Sequence, residues 1–270
     1  MMEYHLNEKK VVYHAEGSKT SGGERILLHE AIDLTNGKPW GKKGYVVHQL
    51  FSETSFEKFE GETKQLLLSL WGKSGLSIPN DIQLDHYHTI AFNKTLHLSA
   101  VDKTKLLSVS DFPIPISEIE NRISEICETS LVAKNPFDKQ SVFHFRVVRP
   151  NSNDNNPLHR DVWLEDYANC INLYIPVAGS NELSSLTIIP GSHHWPESKI
   201  ERTQGGAIIE GTKFNVPAVT RISEEYEIVR PNPQRNGVLV FSPYLIHGGA
   251  VNLNHNQTRI SIELRLWKKS

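Results

Sequence analysis

His159 and Asp161 are separated by one residue, and on an extended strand residues i and i+2 project to the same face. An imidazole and a carboxylate placed in this way can share one metal ion, which raises the question of a third ligand. The chain has thirteen histidines, so accidental patterns are expected, yet this is its single His-x-Asp. His14-x-Glu16 is chemically similar but lies in what reads as an N-terminal tail with no strand around it. His86-x-His88 is another pair, with no evident third ligand near it in sequence. His193 and His194 are adjacent and cannot face the same way on a strand, which suits a turn. His247 is the better partner. It ends the apolar run "GVLVFSPYLIHGG", where Gly248 and Gly249 let backbone crowd a ligand.

Two neutral imidazoles and one carboxylate form the facial set used by non-haem Fe(II) oxygenases. Three protein ligands occupy one face of an octahedron and leave the opposite face for a chelating co-substrate and dioxygen. Zinc accepts the same ligands, so a zinc-dependent hydrolase is one alternative. A non-catalytic β-helix binding module that kept the shape is another. The strand "TRISIELRLW" helps to choose. Ile260, Ile262, Leu264 and Leu266 fall on one face and Arg259, Ser261, Glu263 and Arg265 on the other. Arg259 and Ser261, two apart, offer a guanidinium fork and a hydroxyl to a carboxylate. A simple zinc hydrolase needs no such pair. Arg265, further along the same face, is expected to take no part in holding that carboxylate.

These residues need a scaffold. From about residue 141, short runs rich in Val, Ile, Phe and Leu alternate with turn clusters, which argues for an antiparallel β-sandwich or barrel. Upstream, Phe56, Phe59, Thr63, Leu66, Leu67 and Leu70 keep helical spacing, with Thr54 and Glu57 as a capping box and Gly72 as a stop. A second helix is expected from Ser117, burying Ile119, Ile123, Ile126 and Cys127, with Ser117 and Glu120 capping it. Residues 16–25 read as a loop. Residues 203–237 form a long connection expected to act as part of a lid. That connection carries Lys213, Arg221 and Arg230. With Arg146 and Arg160 near the motif, these cations would suit an anionic small molecule. The expectation is mainly β with flanking helices (α+β), in a single domain over 1–270. Its helical and strand support covers about 1–140 and its β-helix catalytic core about 141–270.

A net charge of −2 leaves no footprint for nucleic acid or an anionic membrane. No apolar run approaches the roughly 18 residues of a membrane span. The polar, charged start argues against a secretory signal. Cys127 and Cys170 are far apart and read as reduced thiols. The chain is therefore expected to be cytoplasmic, a monomer or homodimer, with a small-molecule substrate.

Taken together, "HRD" (His159, Asp161), "LTIIPGSH" (186–193), "IHGGAVN" (246–252) and "TRIS" (258–261) resemble the phytanoyl-CoA dioxygenase family of Fe(II)- and 2-oxoglutarate-dependent oxygenases. The match covers about residues 142–267, with "WGKKGYVVHQLFSETSFEKF" similar to the family's N-terminal strand and helix. The resemblance implies a double-stranded β-helix (jelly roll, cupin-like) with His159, Asp161 and His247 on iron. It also implies Arg259 and Ser261 on the distal carboxylate of 2-oxoglutarate. Where the family usually has a tryptophan, this chain offers Tyr174. With Asn172 on the same strand face, Tyr174 is a candidate for lining the 2-oxoglutarate pocket. Asp161 argues against halogenation, since halogenating relatives replace that carboxylate with a small residue. The implied reaction uses O2 and releases succinate and CO2. Hydroxylation of a small polar or carboxylated metabolite is the default outcome, with cyclisation, desaturation or epimerisation as alternatives.

Overall fold

A computed structural model describes residues 1–152, 154–164 and 167–269. The first strands are β1 (Met2–Leu6), β2 (Lys9–Tyr13), β3 (Ala15–Glu16), β4 (Lys19–Ser21) and β5 (Tyr45–Gln49). Helices α1 (Glu53–Lys73), α2 (Tyr87–Ile90), α3 (Lys94–Thr104) and α4 (Ile116–Cys127) follow, with short strands β6 (Leu107–Ser108) and β7 (Leu131–Val132). The remainder is β8 (Val142–Val148), β9 (Cys170–Ala178), β10 (Ile200–Thr203), β11 (Ala207–Ile209) and β12 (Thr212–Phe214), then β13 (Val219–Ile222), β14 (Gly237–Phe241) and β15 (Arg259–Lys268).

The architecture is a double-stranded β-helix with flanking helices. Its major sheet runs β5-β14-β9-β15-β8-β6, with β7 on the far end of β15. Alternation sorts each of these strands. Phe143, Phe145, Val147, Ile171, Leu173, Ile175, Val238, Val240 and, from β15, Ile260, Ile262, Leu264 and Leu266 join a cluster with Phe56, Phe59, Leu67, Trp71, Ile119 and Ile123 from the helices. The helices therefore cover the outer face of this sheet. Each fully buried side chain of this size contributes about 1.5–3 kcal/mol. The other face of β9 and β15 turns inward and carries Asn172, Tyr174, Arg259, Ser261, Glu263 and Arg265.

The opposing layer is less regular. It contains β4, β10 and β13, extended by single bridges between His159 and His247, and between Ile188 and both His247 and Val229. Its outer side is sealed by the hairpin β1–β2, whose Met2, Tyr4 and Leu6 pack with Leu158, Ile189, Val219 and Ile246. This hairpin and β3 occupy the stretch expected to be a tail. Its polar residues point outward while every second residue of β1 is buried. β4 likewise lies within the expected loop 16–25.

Helix ends differ from expectation in their caps. Ser52, not Thr54, is the N-cap of α1: its extended backbone lets its side chain accept from Ser55 N, so Thr54 already lies in the first turn. Gly72 stays helical and Ser74 closes the helix. The buried face is as expected, except that Leu66 is half-buried. α4 starts at Ile116 after Pro115 with no side-chain cap, and Glu120 instead accepts from the amide of Ala133. Residues 203–237 are built into the sheets in part. β13 pairs with β10, β11 with β12 and β3, and Val229 with Ile188. The unpaired stretch around Asn215 and Val216 lines the cavity described below, so only part of the segment could serve as a lid.

A cavity between two histidines and two arginines

His159 and His247 exchange both backbone hydrogen bonds at 2.9 Å, while the Asp161 amide donates to Pro243 O at 3.1 Å. His159 thus sits at an isolated bridge and Asp161 opens a 3-10 turn, rather than both lying on a regular strand. The two-residue spacing still aims both side chains into the cavity. Close approach requires glycine here: Gly248 has φ +97°, and a Cβ on it would lie 2.9 Å from His159 Nδ1.

Each imidazole is oriented from behind. His159 Nδ1 lies 2.8 Å from Pro157 O, and His247 Nδ1 lies 2.9 Å from Leu245 O. A carbonyl only accepts, so both Nδ1 atoms carry the hydrogen and both Nε2 lone pairs face inward. Those Nε2 atoms are 3.3 and 3.6 Å from Asp161 Oδ1. Adjacent octahedral ligands at about 2.1 Å from a metal stand about 3 Å apart, so this spacing suits a shared ion. Within the described residues this is the one trio of His, Cys, Asp or Glu that could hold a metal. Burial, and then the neighbouring His159, lower the pKa of His247 to about 4, keeping it neutral. Burial alone would raise the Asp161 pKa. Arg265, followed by the two histidines, outweighs it and holds the carboxyl well below the usual range.

The second oxygen of Asp161 is fully engaged. Oδ2 accepts from Arg265 Nη2 at 2.8 Å, from Arg265 Nε at 3.2 Å and from Asn172 Nδ2 at 2.8 Å. Arg265 is also covered by the Tyr167 ring, 4.5 Å from its Cζ. Asn172 therefore reaches the metal trio through Asp161, and its Oδ1 has no partner. Neither link was legible in the chain's spacing, because Asp161 and Arg265 are 104 residues apart. The alternation of β15 marks Arg265 as inward-facing but says nothing of what it meets.

At the other end of β15, Arg259 is 2 % exposed, yet its Nε and Nη1 have no partner. The hydroxyl of Ser261 is buried and equally unpartnered. Tyr174 lies beneath, its ring 5.7 Å from Arg259 Cζ and its hydroxyl 2.7 Å from Ser180 Oγ. A buried cation with free donors is costly unless an anion meets it. The donor set fits a carboxylate. A cavity of about 680 Å³ takes in His159, Asp161, His247, Asn172, Tyr174 and Arg259 in one space.

Other cations divide. Arg146 faces the cavity, bound to Glu263 by contacts of 3.0 and 3.2 Å. Burial would raise the Glu263 pKa, but Arg146 lowers it to about 2. Arg160, between the two ligands in sequence, points instead to Glu197 and Ser192 O, so it cannot serve an anionic substrate. Arg230 donates to Ser185 O and Val251 O, and Lys213 and Arg221 are exposed. His88 bonds Thr258, the residue before Arg259, and His193 is buried in a turn against Gly41 O.

The fold has counterparts among solved structures. The crystal structure of AviO1 from Streptomyces viridochromogenes Tue57 is similar in fold, with a TM-score of 0.50 and 12% identity over 91% of this chain and 98% of that one. The non-heme alpha ketoglutarate dependent carbocyclase SnoK aligns with a TM-score of 0.47 and 14% identity, over 92% of this chain and 87% of its own. EctD from S. alaskensis, solved with 2-oxoglutarate and 5-hydroxyectoine, aligns with a TM-score of 0.47 and 12% identity, over 95% and 86%. Among curated proteins, none matches the chain significantly in sequence. The profile of the phytanoyl-CoA dioxygenase (PhyH) family, by contrast, matches residues 40–261, most of the chain. The chain thus belongs to the phytanoyl-CoA dioxygenase family and is a non-haem iron, 2-oxoglutarate-dependent enzyme.

Proposed function

We propose that this enzyme hydroxylates a small polar or carboxylated metabolite, with His159, Asp161 and His247 as iron ligands and Arg259 and Ser261 as the anchor of 2-oxoglutarate. The observation that carries this reading is the pairing, in one cavity, of a buried His/Asp/His trio with a buried guanidinium that has two nitrogens without partners. Bound iron with 2-oxoglutarate and O2 supplies an oxidant able to remove a substrate hydrogen, with release of succinate and CO2.

The chain's own residues do the rest. The backbone carbonyls of Pro157 and Leu245 hold the two imidazoles in the Nε2-inward tautomer. Arg259 and Ser261 meet the distal carboxylate with directed donors, fixing which end of the keto acid points towards the trio. Tyr174 supports the guanidinium from one side. The Arg146–Glu263 pair and neighbouring Asn156 give the cavity wall fixed charges and polar groups that suit a polar substrate. Cyclisation, desaturation or epimerisation would use the same residues and remain the alternative outcome. The chain is proposed to work as one domain, since the outer cluster of the major sheet mixes residues from both halves. Both cysteines are buried and unbridged, which fits a reducing, cytoplasmic setting.

Anaerobic reconstitution with Fe(II) and 2-oxoglutarate tests the reading. A weak visible charge-transfer band should form with both together and with neither alone. Stoichiometric zinc with no such band would favour a zinc-dependent hydrolase. Band formation without succinate production, across a broad metabolite panel, would favour a binding module.

A further inference from the structure

Every octahedral site has six positions, and three protein ligands use three of them. A chelating keto acid takes two more, leaving one for a diatomic gas. This count holds only if the carboxylate ligand binds through one oxygen. A carboxylate is free to bind through two, and a chelating Asp161 would fill the last position. What Asp161 does with its second oxygen is therefore a functional question.

We propose that Arg265 is a positioning residue for the metal: it holds Asp161 Oδ2 away, so that this carboxylate ligates through Oδ1 alone. The proposal rests on the reading of His159, Asp161 and His247 as the iron site. Its basis is the division of labour between the two oxygens. Oδ1 lies 3.3 and 3.6 Å from the two Nε2 atoms. Oδ2 receives three N–H groups, at 2.8 and 3.2 Å from Arg265 and 2.8 Å from Asn172. Turning Oδ2 towards the metal would break all three of these bonds in a buried place, two of them charge-assisted.

The donors are themselves held. Arg265 and Asn172 are direct partners in the β15–β9 ladder, so both reach Asp161 from one rung of the sheet. The Tyr167 ring caps the guanidinium on another side. Arg265 lies beyond residues 40–261, the stretch shared with the family profile, so its role is read from this chain's geometry alone. An ordinary salt bridge between sheet and turn would have the same distances, and the test must separate the two roles.

Nitric oxide, a diatomic probe of the open position, does so. Anaerobic Fe(II) protein saturated with 2-oxoglutarate is titrated with nitric oxide and followed by the electron paramagnetic resonance signal of the resulting adduct. In Arg265→Met the charge-transfer band should persist, because Arg259 is untouched. Nitric oxide affinity should fall about tenfold or more, the lower end of what losing such an outer partner of a metal ligand costs. Arg265→Lys, which keeps the charge but not the fork, should fall between Met and wild type. A lower melting temperature with wild-type nitric oxide affinity below the melt would make Arg265 merely structural and overturn the proposal. If the Met variant does not fold, the Lys variant decides, and wild-type affinity there overturns it equally. Absence of the band in wild type is a separate failure, that of the iron reading, and it would take this proposal with it.

Discussion

Arg259 and Arg265 lie on one strand, face the same cavity and differ in almost everything else. Arg265 is neutralised within the fold, with Asp161 on one side and Tyr167 on another. Arg259 is more deeply buried and has two nitrogens without partners, beside a serine hydroxyl in the same condition. Burying an unpaired charge costs free energy that a fold has no structural reason to spend. Arg259 is therefore suited to an anion from outside the chain, as proposed for 2-oxoglutarate, whereas Arg265 meets Asp161 within it. Residue type and strand face are identical, so only the partner distinguishes a ligand-binding cation from a positioning one.

The largest expected effect breaks the inner partnership. Asp161→Ala should abolish succinate formation, and it should also weaken the metal-free protein, because Arg265 is left facing a cavity without its anion. Breaking a buried pair costs about 3–5 kcal/mol. The Arg265 side chain is 20% exposed, so a loss of about 1–3 kcal/mol in urea titration is the appropriate expectation. Undiminished succinate output from a folded variant would remove Asp161 from the chemistry.

Next comes the outer partnership, where the sign of the stability change should reverse. Arg259→Ala deletes a cation with unpartnered donors, so the metal-free protein should be as stable as wild type or more so. Its 2-oxoglutarate requirement should nevertheless rise about 30-fold or more, from about 2–5 kcal/mol at about 1.4 kcal/mol per tenfold. Arg259→Lys should recover part of this. A destabilised variant with an unchanged 2-oxoglutarate requirement would exchange the roles assigned to the two arginines.

A smaller effect should touch neither arginine. Tyr4, in the N-terminal hairpin, donates to Gly249 O at 2.8 Å, two residues past His247. Tyr4→Phe should lower stability by about 1 kcal/mol while leaving the 2-oxoglutarate requirement at its wild-type value. A raised requirement would mean that the hairpin also sets the Arg259 end.

The smallest concerns the satisfied neighbours of Arg259. Arg149, one residue beyond the Val148–Arg259 pair, is bound by Asp154, which also meets His97 at 3.3 Å. Burial lowers the His97 pKa to about 4, below its ordinary 6.5, and the nearby Asp154 only partly opposes this. The unfolded chain then binds a proton that the folded one refuses. Stability should accordingly be full above about pH 6.5 and decline as pH falls from there to about 4. His97→Gln should flatten this decline in the metal-free protein; an unchanged slope would assign it to other buried histidines.

Short-range spacing singled out the candidate ligands. A two-residue period is a property of extended backbone, so Arg259-x-Ser261 declares its shared face wherever the strand lies, whereas His159 and Asp161 keep a common direction although His159 sits at an isolated bridge and Asp161 opens a 3-10 turn. The same period separated the apolar face of β15 from its polar one, and turn spacing announced the β-architecture. Helical periodicity found α1 and α4 but misplaced their caps, because a cap depends on backbone angles at a single residue. The β1–β2 hairpin was missed, since alternation within five residues among many charges looks like a solvated tail until something packs on it.

Tertiary structure alone decided the partners. Nothing in the order of residues says that Arg265 meets Asp161, that Arg160 turns away from the cavity to a buried Glu197, or that two nitrogens of Arg259 find no partner among the described residues. Spacing encodes the direction of a side chain relative to its own backbone. Which charge waits at the end of that direction depends on how strands distant in sequence come into register, and here that register set Arg265 against Asp161 and left two nitrogens of Arg259 without partners among the described residues.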